Sequence, residues 1–413
     1  MTSTTDTGPS RARMAWLIVL AAGIIVGMAM GLRQVMGLYL KPVSLSLGIG
    51  REPFSNAMAV ANLTWGVLSI VAGAISDKYG AGRVIATCAL STILGLLAMA
   101  FATSPAWLYA SGVLTGIGVA GTGVTALVGA VGRAVPESQR TAAIASLGMA
   151  GGIGQLIAFP YTHLLIEYTN WKTSLLVLGA TALAMLPLAY ILSGKPKPGP
   201  GILRSQTLSE AFREAFAHPS FWLLTAGFFV CGFHVAFYGV HLPAFVSDQG
   251  LPEWVGVWAL MAVGIANIVG TYMAGQSGKY VEKRVGLSFI YFMRTFAFLG
   301  LLFLPITPVT VIGISALLGL FWLSTVPLTS SLVGLFFGTQ WMSMLFGFVF
   351  LSHQLGSFMG LWLAGMLYDA TKSYDTMWWI SIALALFAAA IHWPIREKPV
   401  ARILSQQRPV AAE

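Results

Sequence analysis

Charge is what this sequence has least of. Only 9% of its 413 residues are Asp, Glu, Lys or Arg, and 57% are hydrophobic, whereas soluble domains carry about 25% charged residues. With a mean hydropathy of +0.79, this composition cannot build a water-facing surface. That excludes an ordinary cytosolic enzyme, a nucleic-acid-binding domain and a disordered regulator. The net charge of +9 does not restore a nucleic-acid partner, because no basic run is long enough for a phosphate-tracking face. Cysteine is nearly absent. Cys88 and Cys231 each sit in an apolar stretch and form no CxxC, so neither a disulfide framework nor a metal site is expected. Also lacking are a GxxxxGK[ST] phosphate loop, HExxH and GxSxG, which argues against ATP-driven chemistry and an intramembrane enzyme. No cofactor is implied.

What is present is apolar length. A membrane helix needs about 20 mostly apolar residues. Such stretches centre on 14–40, 54–75, 84–102, 106–131, 142–166, 173–193, 220–246, 254–275, 286–304, 308–336, 342–367 and 376–394. They predict an all-α, polytopic membrane protein whose main partner is the lipid bilayer. The first stretch follows Arg11 and Arg13 as a signal peptide would. It runs on past Arg33 towards Tyr39, so an uncleaved helix is the better reading. With both termini cytoplasmic, seventeen of the 23 basic residues lie inside. Lys41, Arg51, Lys172 and Lys372 fall outside, and Arg33 and Arg294 fall within spans. That asymmetry supports the even helix count.

The expected organisation is a cytoplasmic tail (1–12), a six-helix bundle (13–193), a linker (194–218), a second six-helix bundle (219–396) and a cytoplasmic tail (397–413). The linker begins with the breaker-rich run 193–201, then places Leu208, Ala211, Phe212 and Phe216 at helical spacing. This predicts a short amphipathic helix on the membrane surface. The halves echo each other. Leu127-Val-Gly recurs as Leu332-Val-Gly, Gln155-Leu as Gln354-Leu and Ala72-Gly as Ala274-Gly, at offsets of 205, 199 and 202. Two pseudo-symmetric six-helix bundles follow, an arrangement typical of carriers that alternate access around a midplane site.

Between the second and third spans stands Gly73-Ala-Ile-Ser-Asp77-Lys78-Tyr-Gly80-Ala-Gly-Arg83. Gly73 would permit close helix approach and Gly80 a tight turn. Asp77 can cap a neighbouring helix, while Lys78 and Arg83 anchor at headgroups. This stretch resembles the GxxxD(R/K)xGxxR signature of the major facilitator superfamily, with a degenerate echo at Gly275-Gln-Ser-Gly278-Lys279. The resemblance implies a loop that latches the halves together on the cytoplasmic side. The segments Arg33-Gln-Val-Met-Gly-Leu-Tyr-Leu-Lys-Pro and Leu47-Gly-Ile-Gly-Arg51-Glu52-Pro-Phe-Ser55 look like the bacterial monocarboxylate and oxalate–formate branch. The inner membrane of a bacterium is the location this implies. In that branch a basic residue of the first helix helps to hold the substrate carboxylate, and Arg33 matches it. The branch's acid and Arg of the eighth helix are missing from Gly264-Ile-Ala-Asn267-Ile-Val-Gly270. So is the fourth-helix Arg of proton-coupled drug exporters, where Gly112 stands.

An ionisable residue inside a span costs several kcal/mol and marks function by default. Arg33 reads as an anion-binding group, with a structural partner or a snorkelling cation as the alternatives. Arg294 reads as a structural or coupling residue. All fourteen Asp and Glu map to loops, tails or span ends. Proton symport through a buried carboxylate is therefore poorly supported, leaving a substrate anion or histidine to balance charge. His234, Tyr238 and His241 share one face of the seventh span, and His353 and Gln354 lie mid-span in the eleventh. Asn62, Gln155 and Asn267 complete the candidates. Each either meets substrate or joins helix to helix. Gly23, Gly27 and Gly31 on the first span, and Gly148 and Gly152 with Gln155 on the fifth, predict packing stripes.

The sequence is thus expected to be a monomeric secondary carrier of a small organic anion, monocarboxylate-like. The alternative is a proton-driven exporter of lipophilic compounds.

Overall fold

A computed structural model describes residues 9–135, 137–193, 206–278, 280–338 and 341–403. Among them no strand occurs, and twelve helices are long and apolar enough to cross a membrane. They match the predicted twelve closely. The largest departure is the first span, Arg13–Leu47, which continues through a 3-10 segment at Val35–Tyr39 into a helix at Leu40–Leu47. It stops at Gly48, whose φ of 64° suits glycine. Elsewhere the starts are set by Pro in the first turn, as at Pro105, Pro219 and Pro308. Side-chain caps add to this: Asn170 accepts from Thr173 N–H at 2.9 Å, and Thr307 from Thr310 N–H at 3.2 Å.

The chain divides into two compact units, Met1–Gly199 and Pro200–Glu413. In the first unit the first span packs on the fifth, the second on the fourth and the third on the sixth. The second unit repeats the scheme, with seventh on eleventh, eighth on tenth and ninth on twelfth. Lipid offers no hydrophobic drive between helices, so close backbone approach at small residues holds such pairs. A Cβ on Gly27 would lie 2.9 Å from the Ala150 carbonyl, and one on Gly31 2.7 Å from that of Gly154. The predicted stripe on the first span is therefore a packing face. On the fifth span the face is set by Ala150, Gly154 and Ala158 instead of Gly148. A Cβ on Gly148 would meet nothing within 4 Å, because that residue lies on an exposed side of its helix.

The linker helix forms at Leu208–Phe216 and opens with a capping box. Thr207 accepts from Glu210 N–H, and the Glu210 carboxylate accepts from Thr207 N–H at 2.8 Å. Those bonds hold the Glu210 carboxyl below the usual carboxylate range. The helix is docked on the second unit. Glu214 pairs with Arg402 at 3.1 Å, and Phe216 packs against Phe221, Trp222 and Phe348. Residues 194–205 lie outside the described structure.

Candidate functional site

Arg33 sits in the last turn of the helix Pro9–Gln34, partly exposed. Its Nη2 donates to Asn62 Oδ1 at 3.0 Å and its Nη1 to Gln34 Oε1 at 3.2 Å. Its Cζ stands 4.7 Å from the centroid of the Trp65 ring. The second span builds this cradle by placing Asn62 and Trp65 three residues apart on one face. The Asn62 amide is itself oriented, because Nδ2 donates to the Met58 carbonyl at 2.8 Å and leaves Oδ1 for the arginine. Of the roughly five N–H groups of a guanidinium, these bonds use two. Both acceptors are neutral amides. A permanent positive charge thus lies within a span, with donors in hand and no carboxylate paired to it among the described residues.

The fourth span is discontinuous beside this cradle. The helix Pro105–Thr122 ends at Gly123, which is extended, and a new helix runs over Val124–Ala134. A Cβ on Gly123 would lie 3.9 Å from Trp65 Nε1, so the break and the aromatic platform are neighbours. Broken helices of this kind recur at the binding sites of secondary transporters.

The second unit contains a comparable break with a different tenant. Its tenth span is split into Pro308–Leu320 and Thr325–Phe337. Arg294, only 1% exposed, donates through Nε and Nη2 to the Phe321 carbonyl at 3.0 and 2.6 Å, and through Nη2 to that of Trp322 at 2.5 Å. A cation there meets the negative end of the first half-helix. Nη2 also reaches Cys231 Sγ at 3.4 Å, and the guanidinium lies over Tyr291. Asn267 serves the other side of the break, where its Oδ1 accepts from Leu323 N–H at 2.9 Å. Asn62 and Asn267 stand 205 residues apart, an offset of the internal repeat. One steadies an open guanidinium and the other a half-helix. Arg294 is 1% exposed and bonded to backbone carbonyls, whereas Arg33 is partly exposed and bonded to two side-chain amides.

The remaining candidates are tied within the second unit, apart from Gln155. His234 Nε2 donates to the Ser381 carbonyl at 3.0 Å. Tyr238 and Ser315 hydroxyls are 2.7 Å apart, and His241 Nδ1 is 2.8 Å from Tyr374 Oη. All three side chains are at most 1% exposed and join the seventh span to the tenth or the twelfth, or to the residue before the twelfth. His353 Nδ1 lies 3.2 Å from Gln354 Oε1, and its ring stacks on Phe350. Gln155 is half-buried beside Gly154 on the fifth span.

A family profile, that of the Major Facilitator Superfamily, matches residues 16–361. The chain belongs to this superfamily. It is 29% identical over 269 residues to Monocarboxylate transporter 11 of Mus musculus, covering 63% of this chain and 58% of that protein. The matched region thus spans less than two thirds of that relative's length. Identity to the uncharacterized MFS-type transporter YcxA of Bacillus subtilis is 22% over 382 residues, 88% of this chain and 90% of that one. A solved bacterial homologue of the human lysosomal transporter Spinster, inward-facing and unoccupied, superposes with a TM-score of 0.76. Its identity is 14%, over 94% of this chain and 97% of that one. This likeness shows a shared fold. With twelve helices among the described residues long and apolar enough to cross a membrane, the chain is a multi-pass membrane protein of a family of transporters, not of enzymes.

The superfamily's signature loop forms the predicted turn. Gly80 adopts φ 97° and closes the second span, its N–H donating to the Ser76 carbonyl at 3.0 Å. Gly73 departs from expectation. A Cβ there would meet nothing within 4 Å, and the same holds for its echo Gly275, since both face away from the helix contacts. Arg83 is exposed, while the side chains of Asp77 and Lys78, and Lys279 altogether, lie outside the described structure. The missing fourth-span Arg has a packing cause. A Cβ on Gly112 would strike the Ala57 carbonyl, so that position admits no side chain, and one on Gly270, in the eighth-span stretch that lacks the acid and Arg, would strike the Leu320 carbonyl. Trp65 and Cys231 are the contact residues that sequence reasoning missed. The three-residue spacing of Trp65 from Asn62 was the available signal for the first. For Cys231 there was none.

Proposed function

We propose that this superfamily member is a secondary active carrier that moves a small organic anion, monocarboxylate in class, by alternating access. In this reading it acts as a monomer in a bacterial inner membrane, with both termini cytoplasmic. The observation that carries it is the partly exposed Arg33 guanidinium, held by neutral Asn62 and Gln34 over Trp65, with donors left for a carboxylate. Arginine is suited to that task because its planar fork binds carboxylate in bidentate fashion. The 29% identity to a protein named as a monocarboxylate transporter supports the same substrate class. The test is counterflow in proteoliposomes preloaded with lactate, pyruvate or benzoate. Saturable uptake of the labelled acid is expected, with loss in Arg33→Gln. Absence of counterflow for all three, or full uptake by Arg33→Gln, overturns the reading.

A further inference from the structure

A groove of 480 Å³ runs between the second, third and fourth spans, walled by residues such as Leu68, Ile75 and Tyr79 and floored by the small side chains of Cys88 and Ala120. All of it belongs to the first unit. Ile75 and Tyr79 are 42% and 55% exposed, so the groove is open along its flank. From Leu68 to Tyr79 the second span advances about 16 Å at about 1.5 Å per residue. That is about half of a hydrocarbon core of about 30 Å, the depth of one leaflet. Arg83 closes one end, in the first turn of the third span, and is the one charged residue among those lining the groove. An apolar channel one leaflet deep with a guanidinium at headgroup level has the form of a lipid.

We propose that this groove holds an anionic phospholipid, one acyl chain along its walls and the phosphodiester on Arg83. The assignment is independent of which solute is carried. An Arg fork matches phosphate geometry, and a single basic residue near the membrane surface favours an anionic lipid about fivefold.

The test is native mass spectrometry of the delipidated protein titrated with phosphatidylglycerol or phosphatidylcholine of identical chains. Phosphatidylglycerol is expected to be retained about fivefold better. Arg83→Gln should remove that preference, and Ala120→Trp, which fills the floor, should lower retention of both lipids. Cys88, 8% exposed in the groove, supplies a second reading. Bound phosphatidylglycerol should slow its labelling by an apolar maleimide, and inorganic phosphate should not. Equal retention of the two lipids by the native protein overturns the proposal, as does an undiminished preference in Arg83→Gln. Displacement of phosphatidylglycerol by millimolar inorganic phosphate would mean a phosphate site, and also overturns it.

Discussion

Replacing Arg294 by Met separates an arginine that holds the fold from one that faces a ligand. The variant leaves the Phe321 and Trp322 carbonyls without the donors they now have at 2.5–3.0 Å. An unsatisfied buried acceptor costs about 1–3 kcal/mol, so the two together lose about 2–6 kcal/mol. Some of this is returned. Arg294 Nη1 is buried without a hydrogen-bond partner, and removing a buried ion recovers several kcal/mol of desolvation. The net expectation is a destabilisation of about 2 kcal/mol. Arg33→Met removes two bonds from a partly exposed side chain and leaves a single buried acceptor, Asn62 Oδ1, without its donor, so it should cost about 1 kcal/mol. The assay is thermal unfolding in detergent, followed by a dye that reacts with the buried thiol of Cys231 as it becomes exposed, with Cys88 replaced by Ser throughout. Arg294→Met should melt clearly below the native protein, and Arg33→Met close to it. Ligand-induced stabilisation by a monocarboxylate should show the reverse pattern, lost with Arg33 and kept with Arg294. Equal melting of Arg294→Met and the native protein would refute the capping role. A greater loss in Arg33→Met would refute the division of labour.

Other expectations follow from the same geometry. Gly154→Leu should prevent the first and fifth spans from meeting, because its Cβ would overlap the Gly27 carbonyl, whereas Gly148→Leu should be tolerated. Size-exclusion monodispersity and yield will distinguish the two. Stability should also fall as the solution is acidified from neutrality. His218 packs against Phe336 and Phe337, and burial lowers its pKa while Glu214 opposes that shift. The folded state resists protonation, so the contribution is complete above the usual imidazole range near 6.5 and is lost as pH falls through it towards the lowered value. Melting temperature against pH should show a shallower acid limb in His218→Gln.

The fold was legible because the bilayer imposes a length that composition reports directly. Twelve apolar runs became twelve helices, and Ala72-Gly73 and Ala274-Gly275, paired by sequence echo, occupy similar settings in the two units. Register within a helix was less legible. Gly148 and Gly154 are indistinguishable as small residues, and only the packed backbone of Gly27 decides between them. The site was half legible. Arg33 and Asn62 stand out because charged and polar groups inside a span are costly, but Gln34 and Trp65, which complete the cradle, were not singled out. The linker helix was visible in its apolar spacing, while its docking depends on Arg402, nearly two hundred residues away.

The central claim is that Arg33 binds the carboxylate of the transported solute. Isothermal titration of the native protein and Arg33→Gln with benzoate and lactate, and with their uncharged amides, tests it most directly. A hydrogen-bonded contact to a charged group is worth about 1.5–3 kcal/mol, which corresponds to a weakening of about tenfold to a hundredfold. The native protein should therefore bind acid over amide by that factor, and Arg33→Gln should bind both equally weakly. Equal affinity of the native protein and Arg33→Gln for the acids would contradict the account.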